Sequence, residues 1–76
     1  MFIEIKGIQY EVVVHDDTAR CGSYMEASIP SQRVMEVFYS DQTRDFTFSC
    51  FQGNIPLELF EFIINAAKTG LPNISE

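Results

Sequence analysis

Short runs of alternating apolar and polar residues over the first fifty positions, followed by one stretch of helical period, predict an α+β domain. The runs are brief and their connections short, so the strands should form an antiparallel β-meander of four to five strands rather than a parallel sheet with crossover helices. The helical stretch should pack on one face as a C-terminal α-helix. At 76 residues the chain supplies one domain, strand-rich over 1–52, and a chain of this size buries only about 60% of the surface its unfolded form exposes. That leaves little room for a deep catalytic cleft.

Residues 2–6 place Ile3 and Ile5 on one side and Phe2, Glu4 and Lys6 on the other, and Gly7 suits a turn that needs positive φ. Residues 10–15 repeat the alternation, with Tyr10, Val12 and Val14 opposite Glu11, Val13 and His15, and the β-branched valines favour a strand. Asp16 to Ser23 has no apolar period and reads as the longest loop. Residues 24–29 turn Met25, Ala27 and Ile29 inward and Tyr24, Glu26 and Ser28 outward before Pro30 ends the ladder. Residues 33–39 set Met35, Val37 and Tyr39 against Val34, Glu36 and Phe38. Residues 46–51 set Phe46, Phe48 and Cys50 inward, against Thr47, Ser49 and Phe51. Ser40 to Asp45 is the polar hairpin loop between them.

From Pro56 to Thr69 the period becomes 3.6. Pro56 fits the first turn and Asn54 can cap it. Lys68 suits the last turn, Gly70 the stop, and Pro72 bars continuation, leaving Asn73 to Glu76 as a tail. At about 100° per residue, Glu58, Glu61, Asn65, Lys68 and Thr69 share one polar arc. Leu59, Phe60, Ile63, Ala66 and Ala67 centre the opposite face, with Leu57, Phe62 and Ile64 on its flanks. Those flanking side chains are either covered by loop and strand edges or form a contact between copies.

Eleven acids against five Lys and Arg leave a net charge of −6, which repels phosphate and removes the counterion-release contribution to nucleic-acid affinity. Direct DNA or RNA binding is not expected. No apolar run approaches the length of a membrane span, and the first residues lack the basic n-region and apolar h-region of a secretory signal. A cytoplasmic protein with reduced thiols is therefore expected, Cys50 serving as a small core residue.

With these facings, the outer sheet surface carries Phe2, Val13, Tyr24, Phe38 and Phe51 among Glu4, Glu11, Glu26 and Glu36, and acids recur at Asp16, Asp17, Asp41 and Asp45. Exposed aromatics anchor protein interfaces, and carboxylates around them steer a basic partner. The expected partner is thus a basic surface on another protein, such as one that handles nucleic acid. Tyr24 and Phe38 serve as anchors, and all eight acids act in place of phosphates. In size, charge and element order the chain resembles small bacterial immunity proteins that neutralise nuclease toxins, and phage-encoded inhibitors of host defence, including anti-CRISPR proteins. No motif carries that resemblance, which implies an inhibitor working by complementarity alone. The alternative is a homo-oligomeric structural or assembly subunit using Leu57, Phe62 and Ile64.

Signals for chemistry are few. His15, beside Asp16 and Asp17 and six residues before Cys21, matches no metal-ligand spacing. Its neighbours fit a strand-end histidine in an acidic loop. Cys21 beside Arg20 is the one thiol placed for reactivity, yet no orienting third group, phosphate loop or nucleophile elbow accompanies it. A small enzyme built on Cys21 and His15 ranks last, so no enzymatic activity, metal or cofactor is expected.

Overall fold

In the computed structural model the backbone is described for residues 1–74 and side chains for residues 1–71. Five strands come first in chain order: β1 (Phe2–Ile5), β2 (Ile8–Asp17), β3 (Gly22–Ile29), β4 (Gln32–Ser40) and β5 (Phe46–Cys50). The helix α1 (Leu57–Ile74) follows them. Every strand pairs antiparallel with its chain neighbour, so the sheet order is β1-β2-β3-β4-β5 and the expected α+β meander is the fold.

Turn chemistry sets the hairpins. Lys6 and Gly7, at φ 52° and 82°, form the two-residue turn whose twist matches its flanking strands. Pro30 presets the first corner of the β3–β4 turn, and Ser31 occupies the second at φ 66°. The expected long loop at Asp16 to Ser23 shrinks to a turn over Thr18 to Cys21, because Asp16 pairs with Ser23 and Asp17 with Gly22. Pairing between backbones extends β2 and β3 past the point where apolar alternation stops. Gly22 is required there: a Cβ at this position would run into the carbonyl oxygen of Tyr39 and the ring of Phe38.

The helix lies over β3 and β4. Leu59, Ile63, Ala67 and Leu71 recur at i+4 and are fully buried with Tyr10, Val12, Met25, Ala27, Val34, Met35 and Val37. Val34 departs from the expected outward facing. A β-bulge between Ala27 and Ser28 pairs Ala27 with Met35 and Ser28 with Arg33, so Val34 is the extra residue and turns into the core.

Register confirms the inner side of Phe46, Phe48 and Cys50, which pair with Tyr39, Val37 and Met35. All three are nevertheless exposed, Phe48 by 55%, because the helix lies mainly over β3 and β4 and, among the described residues, only Phe60 is seen to touch β5, at the Phe48 ring. Cys50 is therefore an accessible free thiol and not the core residue expected. Val14, on the inner side of β2, is likewise exposed.

The helix also runs past its expected stop. Gly70 does not adopt positive φ, and the next core position in the i+4 series is Leu71, whose carbonyl accepts a bond from the Ser23 hydroxyl at 3.3 Å. Burying a leucine contributes about 1.5–3 kcal/mol, comparable to the roughly 3 kcal/mol that a proline costs a helix. The Ser23 bond adds to the favourable side. Asn73 and Ile74 are accordingly helical; Ser75 and Glu76 of the expected tail lie outside the described residues. At the other end the Pro56 carbonyl accepts from the N–H groups of Leu59 and Phe60, both at 3.1 Å. Pro56 is thus the cap position, and Asn54 stands outside it.

Candidate functional site

Register arranges the outer surface in rows across the strands. Phe2, Glu11, Ser28 and Arg33 form one row; Val13, Glu26, Glu36 and Ser49 the next; His15, Tyr24, Phe38 and Thr47 the third. The expected outward set is therefore on one surface, but its charges are not equivalent.

Glu26 and Glu36 stand directly opposite each other on β3 and β4, a like-charge pair that would repel without counterions. Two arginines supply them. Arg33 Nε lies 2.6 Å from Glu26 Oε2, and Arg33 Nη2 lies 3.5 Å from Glu36 Oε1. Arg20, from the β2–β3 turn, donates to both oxygens of Glu36 and from Nε to Asp17 Oδ2 at 2.6 Å. The Arg20 hydrogen bond holds the Asp17 carboxyl below the usual carboxylate range, while Glu36 first and Asp17 second raise Arg20 above its ordinary value. Glu36 is only 6% exposed. This carboxylate belongs to the scaffold and offers nothing to a partner.

The same arginines cover the aromatics. The central guanidinium carbon of Arg20 lies 4.3 Å from the Phe38 ring centre and 5.5 Å from that of Tyr24, and that of Arg33 lies 4.1 Å from the Phe51 ring centre. Tyr24 and Phe38 are half-buried, so neither is a bare anchor. Arg20 and Arg33 thus join the site beyond the acids and aromatics that alternation points to. The opposed pair Glu26 and Glu36 is the sequence signal that calls for them.

Apart from Glu61 on the exposed face of α1, the carboxylates without an ion pair among the described residues lie towards the two ends of the meander. Glu4 and Glu11 flank Phe2, which is 61% exposed. Beside it opens a groove of about 480 Å³ lined by Phe2, Glu11, Glu26, Ser28, Gln32 and Arg33, among others. Asp41 and Asp45 lie in the β4–β5 turn at the far end of the meander, where the Asp41 N–H bonds the Cys21 carbonyl. Asp16 is exposed at that same end, but alternation carries it to the helix side with Ser23. The eight acids are not one surface.

Leu57, Phe62 and Ile64 do not form one patch either. Phe60 meets Phe48 of β5 edge-on at 5.3 Å, and helical angles put Ile64 and Leu57 on that flank. Phe62 lies on the opposite flank with Glu58, which pairs with Lys6 at 3.7 Å. Ile64 is half-buried against the core, whereas Leu57 is 68% exposed.

His15 rests its ring 5.5 Å from that of Tyr24, and no hydrogen bond joins it to Cys21 among the described residues. Both cysteines are free and exposed. Cys21 sits beside Asp41 and Cys50 opposite Met35, six residues apart along β4, about 20 Å at the strand rise. Among the described residues no three His, Cys, Asp or Glu side chains converge as a metal site requires, and no helix is long and apolar enough to cross a membrane.

The chain matches no protein-family model, no curated protein and no solved structure. Its class is that of a small α+β domain, a five-stranded meander under one helix.

Proposed function

We propose that this chain is a non-enzymatic binding protein that docks the Phe2 corner of its outer sheet surface onto a basic surface of another protein, of the kind that handles nucleic acid, and acts by occupying it in the cytoplasm. The supporting observation is the pairing of Phe2 with Glu11 beside the open groove, with Glu4 two residues along β1. An incoming Lys or Arg finds an apolar ring for its stem and unpaired carboxylates for its head. Three other outer acids, Asp17, Glu26 and Glu36, are already paired with Arg20 or Arg33.

The test is capture of partners from the source organism, followed by affinity measurement with the protein retained. Glu4→Lys with Glu11→Lys should abolish binding and leave the melting temperature unchanged, and binding should weaken steeply with salt. Asp41→Lys with Asp45→Lys, at the far end, should retain it. Binding that survives reversal at Glu4 and Glu11 rules this reading out.

A further inference from the structure

We propose that β5 is a self-association edge: two copies of this chain join by antiparallel pairing of their β5 strands about a two-fold axis at Phe48, merging two sheets into one. This inference is independent of the docking surface at Phe2.

Hydrogen-bond direction defines the edge. The Ser40 N–H bonds the Asp45 carbonyl at 3.0 Å, and the Phe51 N–H bonds the Val34 carbonyl at 2.9 Å. Asp45 and Phe51 therefore turn backbone groups toward β4, and alternation does the same for Thr47 and Ser49. The N–H and C=O groups of Phe46, Phe48 and Cys50 point to the open side. An incoming antiparallel strand must present the same pattern. A second β5 does so, and one register satisfies all of these groups at once: Phe48 opposite Phe48, and Phe46 opposite Cys50 of the second copy.

Charge selects the occupant. At a net charge of −6, two copies repel over most of their surfaces. From Phe46 to Cys50, however, β5 carries no charge, proline or bulge, the devices that normally guard an edge. The other edge is guarded, since Glu4 lies in β1 and Lys6 just beyond it. In the Phe48-centred register Asp45 comes opposite Phe51 of the second copy, both on the outer side by alternation. Arg33 lies over that Phe51 ring with 53% of its side chain exposed. Asp45 of each copy is thus brought beside Arg33 of the other, twice by symmetry. On the inner side Phe46, Phe48 and Cys50 of the two strands form one continuous apolar surface.

Sedimentation, amide exchange and cross-linking test this. Sedimentation of the unaltered protein should show a concentration-dependent dimer between about 1 µM and 1 mM, with the amides of Phe46, Phe48 and Cys50 gaining protection from exchange as it forms. Phe48→Lys should give a folded monomer, and Asp45→Arg should weaken association about ten-fold. In a Cys21→Ser background, Phe46→Cys should cross-link to Cys50 of the second copy on mild oxidation, since directly opposed strand residues lie within disulfide reach. The proposal is overturned by a monomer throughout that range or a dimer that Phe48→Lys leaves intact. A cross-link that maps elsewhere, or an edge occupied only by a strand of a different protein, overturns it equally.

Discussion

Arg20 donates from its two terminal nitrogens to the two carboxylate oxygens of Glu36, at 3.3 and 3.2 Å, while resting on the Phe38 ring. One side chain from the β2–β3 turn thus pins a nearly buried carboxylate on β4. Removing it leaves Glu36 with the longer Arg33 contact alone. Arg20→Ala should cost on the order of 2–3 kcal/mol by urea denaturation. Arg20→Lys should recover only part of that, because an ammonium can neither fork nor stack as a guanidinium does.

The Asp17 carboxyl, held below its ordinary range by the Arg20 hydrogen bond, ties stability to pH. Its folded pKa is below its unfolded one, so its contribution is complete above the unfolded value of about 4 and disappears as pH falls through the folded value. Between pH 5 and pH 2, thermal melts of Asp17→Asn should lose less stability than those of the unaltered protein. Parallel curves would remove Asp17 as a source of acid sensitivity.

Gly22 and Gly53 make a matched pair. A methyl group at Gly22 meets backbone at Tyr39 and the Phe38 ring, whereas nothing lies within 4 Å of one at Gly53. Gly22→Ala should destabilise by about 1–3 kcal/mol or more, and Gly53→Ala should stay within about 0.5 kcal/mol of the parent. Denaturant midpoints measured side by side decide it.

Ser31 carries a side chain at φ 66° in a two-residue turn. The left-handed conformation costs a side-chain-bearing residue about 1–2 kcal/mol, and the extra unfolded-state freedom of glycine returns about 0.5–1 kcal/mol of that. Ser31→Gly should therefore raise stability by up to about 1 kcal/mol, read as a higher melting temperature.

Strand order and facing were legible because alternation reports directly on which side of a pleated sheet a residue falls, as at Tyr10, Val12, Met25 and Val37. Coverage was not legible. Phe46, Phe48 and Cys50 face inward as expected but are left exposed by the helix, whose placement mainly over β3 and β4 is a tertiary property. Val34 turns inward against its alternation because one bulged residue reverses local parity without leaving a local signature. For the candidate site, the exposed Phe2 with Glu4 and Glu11 could be read from the chain. The neutralisation of Glu26 and Glu36 could not, since Arg20 reaches Glu36 across sixteen positions.

The order of elements bears on how the molecule is made. Strand pairing is complete by Cys50, whereas Leu59, Ile63, Ala67 and Leu71, which cover the inner side, come afterwards. Any folding intermediate that pairs the strands before α1 docks therefore leaves the oily inner side of the meander bare. Docking of the helix is the step that removes this surface from reach of other copies.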